Sequence, residues 1–190
     1  MPSPVRALLD ASVLYSNHQR NLLLQLAQNE LFVAKWSTLI EEEWLRNVEQ
    51  PTRNHIEART LPLIREYFPS ALVSVPMPDR VIGKTNSKDR HVASAAIELA
   101  PSVLVTSNLR HFDAGALAAL AVKVQSPDDF LAERFDESPA FVHAATKEAA
   151  ANLTRTAPTW AAYLSILEGP QQMPKFVARL RAWDAQHHDE

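Results

Sequence analysis

Five oxygen-bearing side chains stand at positions that a chain can bring together: Asp10, Thr106 and Asn108 after apolar runs, Asp89 before a helical stretch, and Glu43 within one. Asp10 ends the apolar run in LLDASVLYSN, and a carboxylate at the end of a buried strand is costly unless something neutralises it or water reaches it. In an open parallel sheet, ligands gather beyond the carboxyl ends of the strands. Thr106 and Asn108 follow the run SVLV, and Asp89 opens the helix that feeds that run, so these positions meet Asp10 at one edge if the two strands are neighbours. Glu43 arrives from the middle of LIEEEWLRNV. Leu39, Ile40, Trp44 and Val48 define a buried stripe there, which Glu43 flanks while Glu41 and Glu42 lie farther round.

Three acids facing one another repel, and a bound divalent cation relieves the repulsion. The chain has no cysteine, so an all-oxygen donor set selects a hard ion, Mg²⁺ or Mn²⁺, rather than Zn²⁺. Such an ion keeps several waters, one of which can lose a proton and attack a phosphorus atom. The natural substrate of that chemistry is a phosphodiester. Each residue also has a plainer reading. Asp10 alone reads as a helix cap, Asp89 as a first-turn acid favoured by the helix dipole, Glu43 as a boundary residue with its head in water, and Thr106 and Asn108 as turn residues. His91 and His111 read as surface or hydrogen-bonding histidines rather than ligands, and Trp36 and Trp44 as core.

Short β-rich runs at 5–9, 31–34, 72–75, 103–106 and 122–124 alternate with helical periodicity, the pattern of a parallel sheet with helices on its faces. Apolar residues three and four apart predict helices over 17–28 and 37–48. A further helix over 53–67 should kink or divide at Pro62. Another runs over 89–99, with Asn86 and Ser87 as candidate N-caps, and Pro127 and Asp128 open a short helix through Leu131. After Arg134 the chain is Ala-rich and helical. Trp160, Tyr163, Leu164, Leu167, Phe176 and Leu180 need a surface to cover them, so the expectation is two or three helices packed on the sheet domain. The division expected is 1–134 for the sheet domain and 135–190 for the helical extension, with a frayed end at 187–190.

With 190 residues, 46% hydrophobic and no run of about 18 apolar residues, the chain is long enough to bury a core and carries no membrane-spanning segment. No basic stretch followed by an apolar one opens it, and it has no cysteines, so a cytoplasmic location is expected. The net charge of −3 does not advertise a nucleic-acid binder. Local basic patches remain: Arg46, Arg53, His55, Arg59 and Arg65 in one stretch, Lys84, Lys88, Arg90 and His91 in another. Spacing alone favours solvated helix faces for both. None of the three glycines, Gly83, Gly115 and Gly169, forms a phosphate-cradling loop after the first strand, which disfavours a doubly wound nucleotide-binding domain or phosphatase.

LLDASVLYSN, KWSTLIEEEWLRNV, KDRHVASAAI, VLVTSNLRHF and VQSPDDFL, in this order and spacing, resemble the PIN-domain nucleases, in particular the VapC-like toxins of type II toxin–antitoxin pairs. The similarity covers roughly residues 5–131, and the tail resembles the C-terminal helical extension that some members carry. The resemblance implies a three-layer α/β/α PIN-like domain with a mainly parallel sheet, a metal-dependent endoribonuclease activity and inhibition by a cognate antitoxin. Mapped onto this chain, the family's acids are Asp10, Glu43 and Asp89. Asn108 stands where many members place another Asp, keeping an oxygen donor and losing a charge, and Asp113 lies one residue past Phe112, off the position of a related acid.

The mechanism this implies has Asp10 and Asp89 holding Mg²⁺ or Mn²⁺, Glu43 orienting or deprotonating water, Asn108 binding a ligand water and Thr106 fixing the strand end. Arg46, Lys88 and Arg90 are the expected phosphate contacts on RNA, which would make binding fall with salt. The expected antitoxin groove lies on helices 17–28 and 37–48, with Leu23, Leu24 and Leu45 as contacts, and exposed apolar area equally suits a homodimer. Carried alongside is a catalytically weak PIN-like module that binds RNA or a protein partner, with Asn108 as the mark of lost activity.

Overall fold

The computed structural model describes residues 4–187, so of the expected frayed end, 188–190 lie outside the described residues. Five strands, β1 (Arg6–Leu9), β2 (Val33–Ser37), β3 (Leu72–Val73), β4 (Ser102–Val105) and β5 (Val122–Gln125), form one sheet in the order β3-β2-β1-β4-β5. Every neighbouring pair is parallel, with Leu9 opposite Val105 and Leu8 opposite both Leu104 and Lys35. Ala7, Leu8 and Leu9 have no exposed surface, and all of β4 is buried, as parallel strands require when both faces are covered.

The helices in chain order are α1 (Ala11–Tyr15), α2 (Asn17–Gln28), α3 (Thr38–Asn47), α4 (Thr52–His55), α5 (Leu61–Tyr67), α6 (Arg90–Glu98), α7 (Ala114–Ala118), α8 (Pro127–Glu137), α9 (Pro139–Ala151), α10 (Trp160–Glu168) and α11 (Pro174–Gln186). This is the expected α/β architecture, a parallel sheet with helices and a helical C-terminal region, and it is consistent with a PIN-like fold.

The chain winds from β1 to β2 to β3 in one direction, then returns to β4 on the other side of β1 and continues to β5. The winding direction therefore reverses between β1 and β4. In open α/β sheets the crevice outside the strand ends at such a reversal is where ligands bind. Asp10 and Thr106 are the residues that immediately follow these two strands.

Several boundaries differ from the sequence reading. The second strand starts at Val33 rather than 31 and runs to Ser37, because Asn29 caps α2 and a turn through Glu30, at φ 61°, occupies the residues before it. The third strand has two residues, and Pro76 follows shortly after it. The helix expected over 53–67 is divided as Pro62 demands. Residues Ile56–Thr60 form a π-helical turn, in which the Leu61 N–H reaches back five residues to the Ile56 carbonyl, and Pro62 sits in the first turn of α5 where its missing N–H costs least.

The described chain forms two compact units that are not contiguous in sequence. One comprises the residues up to Tyr15 together with Phe32–Gln125; the other comprises Ser16–Leu31 and the described residues from Ser126 onward. The second unit is helical, with α2 packing on α9 and α8 on α11. Its core contains Leu22, Leu23, Leu26, Phe130, Tyr163, Phe176 and Leu180, all without exposed surface. The short helix expected through Leu131 extends to Glu137, because Ala132 and Phe135 continue its buried stripe. The division expected at 134 thus falls inside α8.

Candidate active site

The β1 end is built by backbone and hydroxyl hydrogen bonds. The Asp10 N–H donates to the Val105 carbonyl at 3.1 Å, and the Asp10 carbonyl accepts from Val13 and Leu14 at 3.0 and 3.2 Å, so the residue starts α1. Its carboxylate engages hydroxyls: Oδ2 accepts from Ser12 Oγ at 2.7 Å and from Thr106 Oγ1 at 2.6 Å. Those hydroxyls accept in turn, Thr106 Oγ1 from the Asn108 N–H at 3.0 Å and Ser12 Oγ from the Ser107 N–H at 3.1 Å. The chain leaving β4 is thereby tied to the carboxylate leaving β1.

Asp10 is 2% exposed and Thr106 is fully buried. Burial pushes the Asp10 carboxyl above its ordinary range. The Thr106 and Ser12 hydroxyls oppose that rise, and the charges of Glu43 and Asp89 add to it. Glu43 and Asp89 therefore both lie within electrostatic reach of Asp10.

Asp89 ends a 3₁₀ turn, Ser87–Asp89, that leads into α6. The capping bond of that turn is made by Asn86, whose Oδ1 accepts from the Lys88 N–H at 3.1 Å, and Asp89 makes no side-chain cap. Its Oδ2 instead lies 3.2 Å from His111 Nδ1. Glu43, on α3, places Oε2 at 3.2 Å from His91 Nε2. The two histidine rings thus lie at ion-pair distance from the acids, a placement the sequence suggests only through their closeness to Asp89 and to the end of β4. Ser12 was not singled out from sequence. Its signal is the Asp-x-Ser spacing, which lets a hydroxyl fold back on the preceding acid.

One acid behaves differently from expectation. Glu41 is 4% exposed, takes a hydrogen bond from Trp36 Nε1 at 3.3 Å and is paired with Arg65, while Leu39 is 40% exposed. The buried stripe of α3 is Ile40, Glu41, Trp44, Val48 rather than one centred on Leu39, because a partner for the Glu41 charge makes its inward position tolerable. Glu43, 35% exposed at its side chain, still flanks the stripe.

The donor set fits a hard divalent cation in its chemistry, with oxygens from Asp10, Asp89 and Glu43. Among the described residues no three His, Asp or Glu side chains form a ready-made cage. Mg²⁺ does not need one, since it typically takes one or two carboxylates and keeps its remaining positions for water and substrate phosphate. The burial of the Asp10 carboxylate, with the charges of Glu43 and Asp89 added to it, is the observation that matches such an ion.

Asn108 contributes its backbone N–H to Thr106 and its carbonyl to the His111 N–H, at 2.9 Å. Asp113 is a structural cap: its carboxylate accepts from the N–H groups of Ala116 and Lys84 at 3.0 and 2.9 Å, and those bonds hold its carboxyl below the usual range. Of the expected phosphate contacts, Arg46 and Lys88 are exposed, whereas Arg90 is half-buried and its Nε meets no partner among the described residues. Of the expected antitoxin contacts, Leu24 and Leu45 are half-buried, but Leu23 is fully buried in the helical unit and belongs to its core. Trp36 and Trp44 are core, 3% and 2% exposed. No described helix is long and apolar enough to cross a membrane.

Residues 127–182 match the family described as the VapC50 C-terminal domain. A stretch of 49 residues is 47% identical to a Mycobacterium tuberculosis protein described as "Putative ribonuclease VapC50", covering 26% of this chain and 29% of that protein. The chain therefore matches less than a third of that relative's length. No solved structure matches the chain.

Proposed function

We propose that this VapC-like chain is the ribonuclease toxin of a toxin–antitoxin pair, cutting RNA phosphodiesters with Mg²⁺ or Mn²⁺ held by Asp10 and Asp89. The observation that carries the reading is the buried Asp10 carboxylate, fixed by two hydroxyls where the winding of the sheet reverses and pressed by the charges of two further acids. A carboxylate so placed is an expensive feature for a structural cap and a useful one for a cation site.

When bound, the cation neutralises charge on the scissile phosphate and makes an attacking water more acidic. Thr106 and Ser12 orient Asp10 by donating to its Oδ2, leaving Oδ1 without a donor among the described residues and so available to a cation. Asp89 supplies the second carboxylate once it turns from His111, and Glu43, partly exposed beside His91, accepts the proton of the attacking water. Asn108 secures the Thr106 hydroxyl through its backbone N–H. Arg46, Lys88 and Arg90 approach the RNA backbone and position it. The antitoxin is the expected inhibitor, with Leu24 and Leu45 as contact candidates, a homodimer is a further use of exposed apolar surface, and the working location is the cytoplasm.

The test is cleavage of single-stranded RNA by wild type, Asp10→Asn and Asp89→Asn, each with Mg²⁺, Mn²⁺ or chelator. Wild type alone should cut, and only with the cation. Equal cleavage by all three would point to contamination or to another site, whereas RNA left intact by wild type with either cation would support a binding module without catalysis.

A further inference from the structure

The chain just beyond β4, residues 107–111, lines a cavity of about 230 Å³ at the carboxyl edge of the sheet. It is too small for a complete small-molecule ligand, since such pockets span about 300–1,000 Å³, but it can admit one flat group projecting from a polymer. Its position is fixed from both sides. The Ser107 and Asn108 N–H groups are tied through Ser12 and Thr106 to Asp10, and His111 is tied through its ring to Asp89 and through its carbonyl to the Asn86 N–H at 2.8 Å. Whatever enters lies against a turn that is anchored to both acids.

The lining carries the chemistry of base recognition. Leu109 is 40% exposed and gives an apolar face, the His111 ring is 46% exposed, and Arg110 presents an exposed planar guanidinium. Rings and guanidinium planes are the surfaces on which unstacked bases settle. The Asn108 side chain is exposed, and the bonds that build the turn use its backbone and not its carboxamide. A carboxamide offers one acceptor and two donors, matching adenine along its edge, and a guanidinium fork matches guanine. Both complementarities select a purine.

We infer that residues 107–111 form a pocket for one unstacked purine of single-stranded RNA next to the scissile phosphate, with Asn108 and Arg110 setting base specificity. This rests on the nuclease reading for its substrate, and it gives Asn108 a task other than holding a ligand water. The retained amide is then a reader of sequence and not a relic of a lost acid.

The experiment measures binding without cleavage. Wild-type protein in chelator is titrated by fluorescence anisotropy with four short oligouridylates carrying A, G, C or U at one central position. The A or G oligonucleotide should bind about tenfold more tightly than its C and U counterparts. Asn108→Ala should flatten that ratio. Arg110→Lys, which keeps the charge and loses the planar fork, should flatten it as well. Unchanged thermal unfolding of both variants, whose altered side chains are exposed, excludes misfolding. A purine ratio lost in the variants supports the pocket even where cation-dependent cleavage is absent, an outcome that sinks only the nuclease reading. No purine ratio in wild type, or an equal ratio in both variants, overturns the pocket even where cleavage is robust.

Discussion

Replacing Asp10 by Asn should abolish a cation site and, in the absence of cation, make the protein more stable. The carboxylate is 2% exposed, and burial together with the charges of Glu43 and Asp89 holds its carboxyl above the ordinary value of 3.8. An acid whose folded value is raised costs stability as pH climbs from the unfolded value through the folded one, because the folded state must then carry a charge it disfavours. Asn keeps an acceptor for Ser12 and Thr106 and removes the charge. The gain at neutral pH is about 1–3 kcal/mol, the range for an imperfectly compensated buried polar group. At roughly 2–4 °C per kcal/mol for a chain of this size, thermal unfolding in chelator should rise by several degrees. The difference should vanish below pH 3.8, where both proteins are neutral at this position. Saturating Mg²⁺ should reverse the order, since a ligand at a hundred times its Kd stabilises by about 2.7 kcal/mol and only wild type retains the site. The assay is calorimetric or fluorescence-detected melting of both proteins at pH 3 and 7, with chelator and with Mg²⁺. A variant that is less stable than wild type in chelator at pH 7 would refute the claim that the Asp10 charge is strained.

Other consequences follow from the same geometry. Gly83 sits at φ +49°, and a Cβ there would lie 2.2 Å from Asp113 Oδ2, so Gly83→Ala should lose about 2–3 kcal/mol through backbone strain and displacement of the α7 cap, measured by urea unfolding. Arg46→Ala and Lys88→Ala should each lower the slope of log affinity against log salt by about 0.7 for single-stranded RNA bound in chelator, and an unchanged slope would remove that residue from the phosphate contacts. In the helical unit, burial raises the Asp184 carboxyl, but bonds from Trp160 Nε1 and His143 Nε2, both at 2.7 Å, leave it net below 3.8. That contribution is present above pH 3.8 and lost as pH falls through the lowered value. Asp184→Ala should therefore destabilise by about 1–2 kcal/mol at pH 7 and by progressively less as pH falls below 3.8, read from tryptophan fluorescence during denaturation.

The parts of this architecture legible in the sequence are those set by local pattern. Asp10 and Thr106 each follow a continuous apolar run, and the strand-end rule for parallel sheets places both at the carboxyl edge, their meeting there depending on the pairing of β1 with β4. Pro62 announces the break that becomes the π-helical turn between α4 and α5. What sequence could not give depends on pairing across the chain. Glu41 points inward because Trp36 and Arg65 meet it there, and helical spacing alone assigns that side of α3 to solvent. Helix α2 clusters with residues beyond Ser126 and not with the strands that flank it in sequence, so a single cut in the chain could not describe the two units. The histidines opposite Glu43 and Asp89 lie 48 and 22 positions away from their acids, which no local motif encodes.

The central claim is that Asp10, Glu43 and Asp89 converge to bind a divalent cation. Isothermal titration of Mn²⁺ into wild type and Asp10→Asn tests it most directly. The account predicts a saturable binding event in wild type that Asp10→Asn loses. Identical isotherms for the two proteins, or no saturable binding in wild type, would contradict it.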